Sequence, residues 1–181
     1  MQTTDLPLSG LKLITPKVFS DARGYFYESY KQPLFATIGI SSSFVQDNLS
    51  YSCRHTLRGM HFQSAPGQDK LIQILQGEIF DVALDIRPDS PTFGKWHGLI
   101  LNANNPQLLF IPKGFAHGYC VLSDFALFHY KVSSLYDPAT ECSFRWDDPA
   151  LAIAWPIKNP LLSERDQKSP FFTDLFVQAP R

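Results

Sequence analysis

Leu57-Arg58-Gly59-Met60-His61-Phe62-Gln63 and Ile111-Pro112-Lys113-Gly114-Phe115-Ala116-His117-Gly118 each set a histidine beside an apolar strand and a tight glycine turn. In the first run, pleating puts Gly59, His61 and Gln63 on one face and Met60 and Phe62 on the other. If Phe62 faces the sheet packing, His61 faces a cavity.

Outward from these runs the same two-residue period recurs. Phe80-Asp81-Val82-Ala83-Leu84-Asp85-Ile86-Arg87 alternates, so Phe80, Val82, Leu84 and Ile86 share a strand face, and Arg87-Pro88-Asp89-Ser90-Pro91 supplies the turn. Gln107 to Ile111, Gly118 to Leu122 and Ala126 to Val132 read the same way. Short strands at near-regular spacing mark an antiparallel sandwich or barrel. Helix signals are few: Lys31 to Thr37 suits a short helix, Asp148-Pro149 a single turn, and Ser163-Glu164-Arg165-Asp166 a capping box opening a C-terminal helix. The expected fold is all-β, a jelly-roll barrel with a few short helices.

A chain of 181 residues without repeat, low-complexity tract or linker is sized for a single domain spanning 1–181. Sixteen basic against seventeen acidic residues give a charge of -1, which offers no field for nucleic acid or an anionic membrane. Cys53, Cys120 and Cys142 are odd in number and widely spaced, as reduced thiols of a cytosolic protein are. Met1 to Pro7 lacks the pattern of a signal peptide, and no stretch approaches the roughly 18 apolar residues of a membrane span. A soluble cytoplasmic protein is expected. Aromatic residues make up 14% of the chain, fifteen of them Phe, which suits a sheet with aromatic-lined cavities.

Several side chains carry two readings each. Tyr130 falls in the apolar row Ala126, Phe128, Tyr130, Val132, where burial keeps a phenol protonated as a donor; it is equally an ordinary core tyrosine tied to the backbone. Lys70 is in register with Ile72 and Ile74, and either snorkels at a barrel rim, the usual behaviour, or points its ammonium into a cavity. Arg23 and Arg58, each beside a glycine, suit a diphosphate or a surface ion pair. His117 is a ligand-facing group or a satisfied core histidine near a turn. Asp166 is placed to close the capping box, which explains it without catalysis.

The two histidine runs are similar to the motif pair that builds the mouth of a small cupin barrel. Metal-binding cupins carry His-x-His where this chain has His61-Phe62-Gln63, so one ligand is missing and the surviving histidine is free to act as a base. Together with Asp21-Ala22-Arg23-Gly24-Tyr25-Phe26-Tyr27-Glu28, Phe44-Val45-Gln46-Asp47-Asn48, Asp89-Ser90-Pro91-Thr92-Phe93-Gly94 and Leu162-Ser163-Glu164-Arg165-Asp166, they occur in the order of the dTDP-4-dehydrorhamnose 3,5-epimerase family. The chain resembles that family from about Leu11 to Asp166.

The resemblance implies a cupin-type jelly roll, a homodimer that exchanges N-terminal strands, no metal or other cofactor, and a dTDP-4-keto-6-deoxyglucose substrate. It further implies His61 as general base, Asp166 as the carboxylate that orients it, Tyr130 as the acid on the opposite face of the sugar, and Lys70 as the cation near the C4 oxygen. Arg23, Glu28, Gln46, Asn48, Arg58 and His117 match positions lining the family's sugar-nucleotide site, Arg23 and Glu28 by reaching into the partner subunit, and Tyr136 matches a further aromatic near the ligand. One departure is Asp69-Lys70-Leu71-Ile72-Gln73, where the family usually has Gly-Lys followed by Leu-Val-Arg.

Three other functions compete. A 3- or 5-mono-epimerase of a related nucleotide sugar would share all these groups. A metal-dependent cupin oxygenase or isomerase is disfavoured by Gln63, and a non-catalytic nucleotide-sugar binding module by the joint presence of His61, Lys70, Tyr130 and Asp166.

Overall fold

A computed structural model describes residues 1–176. In chain order the elements are β1 (Gln2–Asp5), β2 (Lys12–Thr15), β3 (Phe19–Asp21), β4 (Gly24–Phe26), α1 (Gln32–Ala36), β5 (Gln46–Cys53), β6 (Leu57–Gln63), β7 (Lys70–Gln76), β8 (Glu78–Asp85), β9 (Trp96–Asn102), β10 (Leu108–Ile111), β11 (Phe115–Val121), β12 (Phe125–Val132), β13 (Glu141–Ser143), α2 (Glu164–Gln167) and α3 (Phe172–Leu175). A six-stranded sheet runs β1-β2-β10-β7-β12-β5 and a five-stranded sheet β13-β6-β11-β8-β9, with β3 and β4 forming a separate hairpin. All pairings between these strands are antiparallel. The expected all-β jelly roll is the observed one, and no described helix is long and apolar enough to cross a membrane.

Three apolar clusters hold the layers. Between the sheets lie Ile72, Ile74, Leu109 and Phe128 from one wall and Ile79, Ala83, Phe115 and Tyr119 from the other. Met60, Val82, Leu84, Ala116, Phe144 and Phe172 cover the outer face of the five-stranded sheet. Ile14, Phe35, Ile40, Leu71, Leu108 and Phe110 do the same for the six-stranded sheet beneath α1. Each sheet is therefore buried on much of both faces, which turns the alternation in β8 around: Phe80, Val82 and Leu84 face outward into the second cluster, while Asp81 and Ala83 face the barrel.

The pairing of β6 with β11 decides what enters the barrel. His61 lies opposite His117, but Arg58 lies opposite Tyr119, so three residues of β6 span two of β11. The extra residue of this bulge resets the pleat, and Arg58 and His61, which strict alternation would separate, both face inward. Gly59 makes this feasible: it has φ +143, and a Cβ there would come 2.6 Å from Gly118 Cα. Only two glycines permit that backbone approach.

Some expected elements shift. The strand read from Gly118 begins at Phe115, so His117 sits mid-strand and not at a turn. The Asp148-Pro149 turn forms around the Asp148 carboxylate, which accepts the Ala150 N–H at 2.8 Å and the Phe172 N–H at 2.6 Å. That second bond anchors the C-terminal tail, whose Phe172 and Phe176 pack beside Phe93 and Phe144 on the five-stranded sheet. The docking expected for Phe171 to Arg181 is thus found as far as Phe176, and the remainder lies outside the described residues.

Candidate active site

At one end of the barrel a pocket of about 110 Å³ opens between the sheets. Cross-strand register builds its first wall. Tyr130 pairs with Asn48 and with Ile72, and Val132 pairs with Gln46 and with Lys70. Residues directly opposite in an antiparallel pair point to the same side, so Gln46, Asn48, Lys70 and Tyr130 share the inward face with the core residues Ile72 and Phe128. The second wall is β6 with β13, where His61 faces Ser143 and Gln63 faces Glu141. His61, Gln63 and Glu141 line the pocket, as do Phe62, Gln68 and Tyr136.

Lys70 does not snorkel. Its strand is flanked by β10 and β12, the residue is 9% exposed, and it lines the pocket. Burial pushes its ammonium down to about 8, against the opposing pull of Asp81 and Glu141. Tyr130 is likewise no backbone-tied core tyrosine: its ring packs against Phe128 while the residue lines the pocket. Burial raises its phenol above the ordinary value, aided by Tyr119 and Glu141 and opposed by Arg58 and Asn48. At neutral pH it carries its proton.

His61 Nε2 lies 2.6 Å from Asp166 Oδ1. Burial would raise the Asp166 carboxyl, but the hydrogen bond and charge of His61, with Ser163 and Arg165, hold it below the ordinary value. An ionised carboxylate only accepts, so His61 donates through Nε2 and keeps the Nδ1 lone pair as a base. The cap at Ser163 is real but half of the expected box: Ser163 Oγ accepts the Asp166 backbone N–H at 3.1 Å, and the Asp166 side chain turns to His61 instead of back to Ser163. The two roles fall on different atoms. Asp166→Asn is accordingly expected to lower turnover by at least tenfold with little change in melting temperature, and Ser163→Ala to cost about 1 kcal/mol of stability with turnover near wild type. Parallel losses in both variants, measured by kinetics and thermal melts, would return Asp166 to a purely structural role.

Other expected site residues lie behind or beyond the pocket. Arg58 donates through Nε to Ser52 Oγ at 3.1 Å. His117 is buried behind His61 and donates through Nε2 to Asp81 Oδ2 at 2.9 Å. Burial lowers its imidazole despite that partner, so it is the satisfied core histidine of the two readings. Arg23, with its side chain 90% exposed, pairs with Asp21 at 2.6 Å, and Glu28 pairs with Lys31 at 3.1 Å, both outside the pocket. The departures at Asp69 and Gln73 also avoid the pocket: Asp69 accepts from Ser42 Oγ and the Lys113 N–H, each at 2.7 Å, and Gln73 donates to the Tyr27 hydroxyl.

Sequence reasoning missed Glu141, Gln68 and the buried Asp81. Glu141 lies on a three-residue strand with no periodicity to read. Gln63 was legible only as an absent histidine; its amide donates to Asp137 O at 3.1 Å and Thr140 Oγ1 at 2.8 Å, holding the loop that leads into β13. Among the described residues no three His, Cys, Asp or Glu side chains converge in a way that would hold a metal ion.

An imidazole with its orienting carboxylate on one wall, and a protonated phenol with a buried ammonium on the other, are the parts needed to shift a proton next to a carbonyl. Residues 5–174 match the family model described as dTDP-4-dehydrorhamnose 3,5-epimerase. The chain belongs to that family. It is an isomerase of the epimerase type, on a cupin-type jelly roll. The dTDP-4-dehydrorhamnose 3,5-epimerase of Escherichia coli (strain K12) is 51% identical over 159 residues, 86% of each chain. The Legionella pneumophila Philadelphia 1 epimerase, solved in complex with dTDP-4-keto-L-rhamnose, superposes with a TM-score of 0.91 at 46% identity, covering 94% of this chain and 92% of that one. A dTDP-4-dehydrorhamnose 3-epimerase of Streptomyces niveus is 42% identical over 169 residues, 92% of this chain and 82% of its own.

Proposed function

We propose that the protein is a dTDP-4-dehydrorhamnose 3,5-epimerase, converting dTDP-4-dehydro-6-deoxy-D-glucose to dTDP-4-dehydro-L-rhamnose, in dTDP-L-rhamnose biosynthesis, by proton transfers at C3 and C5 without a metal. The observation that carries this reading is the placement of His61 and Tyr130 on opposite walls with Lys70 beside them. The C4 ketone acidifies the hydrogens on C3 and C5. His61 Nδ1 removes one, Lys70 stabilises the enolate oxygen, and Tyr130 returns a proton to the other face of the carbon, which inverts it. Asp166 favours the imidazolium formed in the first step. Gln46, Asn48 and Tyr136 hold the sugar end, and Arg58 and His117 support that wall.

The working unit on this reading is a cytoplasmic homodimer that exchanges N-terminal strands and sends Arg23 and Glu28 into the partner's site. Its support is apolar surface on the outer face of the six-stranded sheet, where Leu49 and Tyr51 are 60% and 64% exposed and Tyr51 stacks on Phe125, and on the hairpin, where Tyr25 and Phe26 are exposed. A monomeric mass in sedimentation at micromolar concentration would remove this part.

Proton NMR of dTDP-4-keto-6-deoxyglucose in D₂O with the protein tests the reaction. Deuterium at both C3 and C5 is expected. Label at one position only would establish the single inversion that the name of the Streptomyces niveus relative raises, and label at neither would overturn the reading.

A further inference from the structure

Asp69 stands where the family usually has glycine, next to the cation of the site. Among the described residues no hydrogen bond or ion pair fixes the Lys70 ammonium, which feels Asp81 and Glu141 only as charges at a distance. Where the ammonium stands is therefore set by the backbone that carries it. Lys70 is the first residue of β7, paired with Ile111 on one side and Val132 on the other. The residue after Ile111 is Pro112, which has no N–H to extend the ladder to β10. Asp69 makes the link with its side chain: Oδ1 accepts the Lys113 N–H and Oδ2 accepts the Ser42 hydroxyl, each at 2.7 Å. Toward β12 its own N–H donates to Ser133 Oγ at 2.8 Å, and its carbonyl accepts the Ser133 N–H at 3.1 Å. Three segments meet on this one residue.

A glycine at 69 could make the two bonds to Ser133 but neither of the others. The Lys113 loop enters β11, and the Ser42 loop leads from α1 into β5, whose first residue is Gln46 on the pocket wall. We infer that Asp69 is a positioning residue for Lys70, its carboxylate locking the start of β7 to the Lys113 and Ser42 loops so that the ammonium is held at the enolate oxygen. This rests on the nucleotide-sugar epimerase reading. The ketone of the bound sugar is neutral and the enolate charged, so a misplaced ammonium weakens the transition state more than the ground state. The loss falls on kcat.

The test is a cycle of Asp69→Ala, Lys70→Met and the two combined, read as kcat and KM for deuterium exchange at C5 of the keto sugar. Asp69→Ala alone is expected to lower kcat about tenfold while KM stays within about twofold. In the Lys70→Met background the same change is expected to cost less than about twofold, since no ammonium is left to aim. Asp69→Asn is expected to remain within about threefold of wild type, because its amide oxygen can accept the Lys113 N–H while its NH₂ donates to Ser42 Oγ. A kcat for Asp69→Ala close to wild type would overturn the inference, as would a loss that persists without Lys70 or falls equally on Asp69→Asn. Ser42→Ala removes one of the two side-chain bonds and is expected to lose about threefold in the same cycle, so it stands in for Asp69→Ala should that protein not fold. Absence of exchange by wild type would instead strike the epimerase reading, so the two failures are distinct.

Discussion

His61→Gln is expected to abolish deuterium incorporation at both C3 and C5, a loss of about 10²–10⁴-fold in exchange rate. The argument is that one base serves both positions: of the groups lining the pocket, His61 alone combines a free lone pair with an orienting carboxylate, the 2.6 Å contact to Asp166. Glutamine is the better substitution than alanine. A glutamine amide reaches about as far as Nε2 and can still donate to Asp166, which is 3% exposed, whereas alanine would strand a buried carboxylate and confuse chemistry with folding. The outcome that sinks the assignment is exchange within tenfold of wild type at either carbon. That result would point to Glu141, the carboxylate that lines the pocket, as the base at that position.

What the sequence showed about this site follows from where pleat parity holds. From His61 to Gln63 and from Ala126 to Val132 the strands run regularly, and parity alone puts His61 and Tyr130 on inward faces. At Gly59 it fails, because a bulge is a relation between two strands, and neither Arg58 nor its inward turn can be read from β6 by itself. Lys70 had the right face and the wrong default: snorkelling requires an open flank, and the strands on both sides of β7 are known only once the sheet order is. Asp166 shows another limit. The Ser163-x-x-Asp166 spacing correctly marks a helix start, but a side chain 105 positions from His61 chooses between cap and partner by tertiary position, which local sequence does not carry. Glu141 was hidden for the same reason, since its donors Tyr136 and Arg165 come from two unrelated segments.

The burial of Lys70 leads to a substitution whose effects on activity and stability have opposite signs. Lys70→Met removes the cation proposed to hold the enolate oxygen, and turnover is expected to fall by about 10²–10³-fold, the scale of losing one preorganised charge from a desolvated site. The same change is expected to stabilise the fold at neutral pH. In the native state the ammonium is pushed down from 10.5 to about 8, so folding at pH 7 works against the charged form. At roughly 1.4 kcal/mol for each pKa unit, this penalty is on the order of 3 kcal/mol. The pH dependence fixes the sign. Between about pH 8 and 10.5 the unfolded chain binds more protons at this position than the native one, so wild-type stability rises with pH across that window. Methionine fills a similar volume with nothing to titrate, so its advantage is full below about pH 8 and fades toward pH 10.5. Urea unfolding of both proteins at pH 7 and pH 10 checks this: a variant less stable than wild type at pH 7 would mean that the ammonium is well solvated or paired in the native pocket, and its role at the enolate would lose its physical basis. The proposed role at the enolate would account for keeping a cation there at such a cost.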